Sequence, residues 1–317
     1  MPVTTEKPSS AFADPNIRAL ATLSPIRTYL EIAFTWIQIL VIIGVTLAFD
    51  SPLATVIGAI LVGIRQYALL ILLHDGSHGL LHKVRKVNDQ LSLWLLAAPC
   101  GSTFVNSRLS HLMHHRFLGN PALDPDYSLY CLGPPAPKHN LPGIIFHLVR
   151  LVFGGQIIHT LFQEKGRTKN ETPIAVWIRK SLELLPVVLV QIAILFMFIL
   201  ANHSLGYLFL WLLPLVTVAV LLNGARVFFD HAHSSEGVST NAAPLVSYVS
   251  SSVERLLLAP YNMNYHAEHH LFPYIPHYNL PRLRKLLLED QKYRTLIHFR
   301  CGYFSYLLQH IRTKQVS

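Results

Sequence analysis

Four uninterrupted apolar stretches, roughly 29–49, 52–73, 182–201 and 205–229, constrain this chain more than any other feature. Each is long enough for a helix to cross a bilayer core, which takes ~20 residues at 1.5 Å rise per residue. A helix satisfies its own backbone polar groups, so it is the form such a stretch takes in lipid. The links inside each pair, "DSP" at 50–52 and "NHS" at 202–204, are so short that the helices must form two tight hairpins. The composition agrees: 51% of the 317 residues are hydrophobic and 14% charged, too little polar surface for a soluble domain of this length. The expected fold is an all-α integral membrane protein with four transmembrane helices. Residues 1–28 read as a flexible arm without a cleavable signal, and 29–317 as a single domain.

Basic residues set the orientation, because cytoplasmic flanks carry the Lys and Arg excess. Of the 26 Lys and Arg, none lies in either short link, and only Arg65 sits well inside a span. The arm, the middle region and the C-terminal region therefore share the cytosolic side, where the latter two form a helical cap. Both termini are expected in the cytosol, from a bacterial inner membrane or the endoplasmic reticulum. The net charge of +9 collects there and suits anionic headgroups or an acidic protein partner. Topology explains most of it, and nothing calls for nucleic acid. Arg65 is either functional or paired with a neighbouring helix. The stretch 91–105 is too short to cross and is broken by Pro99 and Gly101, whereas 141–162 is long enough but carries His147, Arg150 and His159 and reads as interfacial. "LPRLRKLL" (280–287) reads as another interfacial helix. Cys100, Cys131 and Cys301 are too scattered for a disulfide framework or a cysteine metal site.

Histidine is concentrated in three phrases, "HDGSH" (74–78), "SHLMHH" (110–115) and "NYHAEHH" (264–270). Residues at i, i+3 and i+4 share a helix face. His111, His114 and His115 therefore project together, as do His266, His269 and His270, while His74 and His78 lie one turn apart at the cytosolic end of the second span. Neutral imidazole is the commonest metal ligand. One first-row ion rarely takes more than about six ligands, so eight histidines argue for two ions. Zinc prefers four ligands, and an imidazole-rich set also suits iron and copper, so ligand type leaves the metal open. A single histidine on an apolar face is usually a hydrogen-bonded structural residue; three clusters at helical spacing on one side are not explained that way. A histidine-rich metal transporter or sensor would place its ligands near the bilayer midplane, where this sequence has no histidine or carboxylate. Asp75, Asp230 and Glu268 adjoin histidines and are expected to accept hydrogen bonds from metal-bound imidazoles.

HxxxH at 74–78 and HxxHH at 111–115 and 266–270, spread over four spans, resemble the three boxes of the membrane-bound fatty acid desaturase and hydroxylase family. "HDGSHG" and "NYHAEHHLFPYIP" resemble the wording around those boxes, and the resemblance runs from about 30 to 290. It implies a non-haem di-iron centre (Fe2+/Fe3+) that uses O2 as co-substrate to attack an unactivated C–H bond of a membrane lipid. It also implies a further ligand in an Arg-x-x-x-acid-His context; "RVFFDH" fits with Arg226, Asp230 and His231, and His233 is a rival. Asn262 stands where some relatives place a polar residue near iron, although an Asn in a loop more often serves a turn. The chain has no haem-binding "HPGG", no G-x-G-x-x-G and no iron–sulfur cysteine set. An external electron donor is therefore implied, a ferredoxin or a cytochrome b5-like protein. Desaturation of an acyl chain is the leading expectation. Hydroxylation, or ketolation of a carotenoid ring, is the alternative, and sphingoid bases come third.

Overall fold

The computed structural model describes residues 14–130, 149, 173–231, 245–291, 294 and 297–313. Helix α1 (Pro15–Leu20) starts at Asp14, whose side chain accepts the Asn16 N–H. Helix α2 (Pro25–Phe49) and helix α3 (Pro52–His78) each open on a proline, which lacks the N–H that a first turn would leave unpaired. Ser51 caps α3 by accepting from the Ala54 N–H, and Gly79 stops it at φ 82°, a left-handed conformation that glycine adopts without a Cβ clash. The helix therefore continues five residues beyond the apolar run ending at 73, and those residues include His74 and His78.

Helix α4 (Arg85–Leu91) passes into a π-helical turn, Ser92–Ala97, and α5 (Phe104–Phe117) follows, capped by Thr103. Most of the 91–105 stretch is thus a cranked helical segment. Its Leu96 and Ala97 are buried in one cluster with Leu69 and Leu72 of α3. After α6 (Tyr127–Tyr130) come α7 (Pro173–Leu200) and α8 (Ser204–His231). Among the described residues four helices are long and apolar enough to cross a membrane: Pro25–Phe49, Pro52–His78, Trp177–Leu200 and Ser204–His231. Their exposure differs in a way that shows which is central. The most apolar window of α3 is 61% buried, against 22% for α2 and 11% for the α7 window. Helices α2 and α8 pack on α3, α7 packs on α8 and on the Ser92–Ala97 turn, and the remaining apolar faces point outward. Close approach to α8 depends on Gly63, where a Cβ would lie 2.5 Å from Val218.

Beyond α8 the chain builds the rest of the cap from β1 (Leu245–Val249), α9 (Ser252–Leu257), α10 (His266–Leu271), α11 (Leu280–Glu289), β2 (Ile297–Cys301) and α12 (Tyr303–Thr313). Strands β1 and β2 pair in parallel, from Leu245 opposite Ile297 to Val249 opposite Cys301. This two-stranded sheet is the one non-helical addition, among the described residues, to the all-α expectation. "LVSYV" and "IHFRC" are β-branched and aromatic, but five residues are too few to show a periodicity. Helix α11 departs from the interfacial reading of 280–287. Its Leu280, Leu283 and Leu287 are buried with Ala267, Phe272 and Ile275, so its apolar face covers the cap core. Ile17 of α1, within the stretch read as a free arm, joins the same cluster. Apart from residue 149, the expected interfacial segment 141–162 lies outside the described residues, as does the rival His233.

Candidate metal centre

Nine histidines meet where α3, α5, α8 and α10 converge, in two sets. The first is His74, His78, His111, His115 and His269; the second is His114, His231, His266 and His270. In each set, one nitrogen per residue lies within 4.8 Å of all the others. The sorting follows helix geometry. Side chains at i and i+4 stay together (74 and 78, 111 and 115, 266 and 270), whereas His114 and His269, the third member of each HxxHH phrase's remaining pair, cross to the other set.

The spacing of the donors fits a shared cation. Nε2 to Nε2 separations are 2.7 Å for His78 and His111, 3.1 Å for His115 and His269, 3.2 Å for His114 and His231, and 2.9 Å both for His231 with His266 and for His266 with His270. Ligands at right angles around an ion about 2.1 Å away stand roughly 3 Å apart. Hydrogen bonding alone cannot account for the second set. An imidazole nitrogen has one in-plane proton or one lone pair, yet the Nε2 atoms of His231 and His266 each face two other Nε2 atoms. In the first set, both ring nitrogens of His74 are buried without a hydrogen bond. This convergent donor set is compatible with metal binding.

Electrostatics keeps five of the imidazoles in the ligating form. Burial first, and then the neighbouring imidazoles, hold His111, His115, His266, His269 and His270 well below the ordinary histidine pKa. Neutral rings have lone pairs to give.

Carboxylates around the rings differ from the expected set. Asp75 approaches His74 Nδ1 at 3.6 Å, but its stronger contact is to His277, whose Nδ1 lies 2.8 Å from Oδ2 and whose backbone N–H also donates to it. His277 in turn stands 3.1 Å from Glu31 through Nε2. Burial opposes its charging, but the two carboxylates prevail and raise its pKa to about 9. Asp230 lies 3.9 Å from His266 Nδ1, beyond hydrogen-bond reach, and is held by Arg226 and Tyr303. Glu268 is placed otherwise than expected: it accepts hydrogen bonds from Ser247 and Arg284. Its position in the middle of α10 aims it away from the face that carries the histidines.

Asp124 does what was expected of those three. Its Oδ1 lies 2.9 Å from Nδ1 of His114, leaving Nε2 to face the second set. Tyr130 and the Gly119 and Asp126 amides hold the carboxylate in place. Burial pushes its pKa up, but the His114 and Tyr130 hydrogen bonds outweigh this and keep it below the usual carboxylate range. The sequence carried one faint signal: Asp124 and Asp126 are the only acidic residues between Asp89 and Glu164. Asn262 sits at φ 58° and donates to the His277 carbonyl, which is a turn residue's behaviour.

Comparison with known proteins agrees with this architecture. A family model described as fatty acid desaturase matches residues 50–301. Similar proteins include a dihydrorhizobitoxine desaturase of Bradyrhizobium elkanii, 27% identical over 75% of this chain and 68% of that one. A sphingolipid delta(4)-desaturase of Candida albicans is 26% identical over 75% of this chain and 62% of its own length. A zeaxanthin 4-ketolase of Chlamydomonas reinhardtii is 25% identical over 69% and 41%. The family's match takes in all three histidine phrases and all but the first of the four long apolar helices, and the chain belongs to the fatty acid desaturase family.

Proposed function

We propose that this oxidoreductase is a di-iron, O2-dependent desaturase that inserts a double bond into a membrane acyl chain. One observation carries the reading: nine imidazoles from four helices sort into two sets, each with its donor atoms inside 4.8 Å. His74, His78, His111, His115 and His269 are assigned to one ion and His114, His231, His266 and His270 to the other. Bound iron supplies the activation of O2 and the removal of hydrogen from an unactivated methylene.

The chain's own groups bind and orient. Asp124 fixes the tautomer of His114 by accepting from Nδ1. The Asp75–His277 pair ties the end of α3 to the cap, so that His74 and His78 are presented at a set depth. Buried residues on the helices that carry the rings, among them Tyr67 and Leu72 of α3 and Phe228 of α8, exclude water from the interior. The reaction balances as –CH2–CH2– with O2, two electrons and two protons giving –CH=CH– and two waters. The electrons come from a separate ferredoxin or cytochrome b5-like protein that docks on the cap at the cytosolic face.

The names of the three relatives cover a dihydrorhizobitoxine, a sphingolipid and zeaxanthin. The similarity to a ketolase supports a second reading, oxygenation of a carotenoid ring. The deciding experiment expresses the protein and its His270→Ala variant with a ferredoxin and its reductase, in a host making ordinary lipids and in one making β-carotene. Acyl lipids lighter by two hydrogens, only with the intact histidine, are the expected result. Oxygen added to the carotenoid selects the second reading, and an iron-free, inactive protein overturns both.

A further inference from the structure

Arg65, a charge inside a span, has no role in the metal centre, and its position is informative. The large exposed apolar side chains of α3 are Leu53, Val56, Ile57, Ile60 and Leu61, and from Val62 to Ser77 nearly every residue is enclosed by protein. Arg65 stands one turn past Leu61, where α3 passes from its exposed apolar stretch into the part enclosed by protein. A long basic side chain at such a point snorkels toward the headgroup phosphates while its methylenes stay against apolar surface.

Its guanidinium opens into a cavity of about 420 Å³ between α2, α3 and α9. A guanidinium has five N–H donors. Here NH1 reaches Gln38 Oε1 at 3.4 Å and NH2 the Leu256 carbonyl at 3.2 Å, both long contacts to neutral acceptors. Among the described residues no carboxylate lies within ion-pair distance of it. The one acidic residue lining the cavity, Glu31, is already engaged by Arg27 at 2.9 Å and His277 at 3.1 Å. Arg255 lines the same cavity, also without an ion pair among the described residues. A half-buried cation without a counter-charge is costly, so the cavity is built to receive an anion. The rim adds the second half of the argument. Phe34 and Leu256 line the cavity and are 60% and 51% exposed, surfaces that suit an alkyl chain lying along α2.

We propose that this cavity seats the phosphate of an anionic membrane lipid, with Arg65 as the deepest contact, Arg255 at the mouth, and the lipid's chains against Phe34 and Leu256. The proposal concerns lipid binding and holds whatever the reaction at the metal centre.

Native mass spectrometry of the detergent-purified protein tests it, with equal amounts of dioleoyl phosphatidylglycerol and dioleoyl phosphatidylcholine. The intact protein is expected to retain the anionic lipid over the zwitterionic one by roughly tenfold, because both offer the same phosphate but the choline brings a further cation beside Arg65 and Arg255. Arg65→Gln is expected to abolish the preference and Arg65→Lys to keep part of it. Arg255→Gln, a change at an exposed side chain that leaves the fold intact, is expected to weaken it. Equal retention of both lipids by the intact protein, or a preference unchanged in Arg65→Gln and Arg255→Gln, overturns the proposal. So does displacement of the lipid by inorganic phosphate, which would make the cavity a free-phosphate site. Iron content, measured alongside, is expected to be the same in all four proteins, which separates loss of this site from loss of the metal centre.

Discussion

The rings of His115 and His270 lie face to face, centroids 4.1 Å apart and 13° from parallel, although they belong to different donor sets. The two sets therefore share a wall, and a ring removed from one unsupports a ring of the other. His270→Ala is expected to lower bound iron by about one ion per chain and to abolish turnover, with weakened retention of the remaining ion against a chelator. Metal analysis before and after chelation checks this; full retention of iron would contradict the shared wall.

Asp124 holds His114 by its Nδ1. Asp124→Asn keeps the shape and removes the charge, and loss of such a partner costs about 10–100-fold in metal affinity or activity. Tyr130→Phe, which removes one hydrogen bond to Asp124, is expected to have a smaller effect in the same direction. Chelator titrations of the two variants against the parent rank them, and an Asp124→Asn protein with parental affinity would remove Asp124 from the centre.

His277 links Asp75 to Glu31, and its pKa is raised to about 9. A raised value means that the proton is bound more tightly in the folded state. The stabilisation is complete below the unfolded value, near 6.5, and is lost as pH rises through about 9. It amounts to about 3 kcal/mol at most. The melting temperature is expected to fall between those pH values, and His277→Gln to start lower and show a flatter profile.

Gly63 faces α8 so closely that a Cβ would meet Val218 at 2.5 Å and the Pro214 carbonyl at 3.1 Å. The carbonyl cannot rotate away, so α3 and α8 must separate. Gly63→Ala is expected to cost about 1–3 kcal/mol, and Gly63→Val more. Thermal melting in detergent reads this out; an unchanged midpoint would show that the helices can slide apart freely.

Some of this site was legible because its information is local. Hydropathy marks the four long helices, and the i, i+4 spacing that puts His74 with His78 on one helix face is a property of any helix. His231 came from an Arg-x-x-x-acid-His phrase rather than from periodicity. Glu268 was misplaced because adjacency in sequence says nothing about which way a helical side chain points: two residues from His266, it turns through about 200° to meet Arg284. Asp124 was missed for the opposite reason, being ten residues from His114 and brought to it by a turn.

The sequence by itself determined that this chain has four helices long and apolar enough for a membrane and three histidine-bearing segments on helical spacing. Those follow from transfer free energy and from 3.6 residues per turn, which act within a few residues of each other. Only the tertiary structure decided how the nine rings divide into five and four, which carboxylate serves His114, and that Arg65 faces a cavity rather than an ion partner. Each of these depends on the crossing of α3, α5, α8 and α10, an outcome of side-chain packing between segments up to about two hundred residues apart.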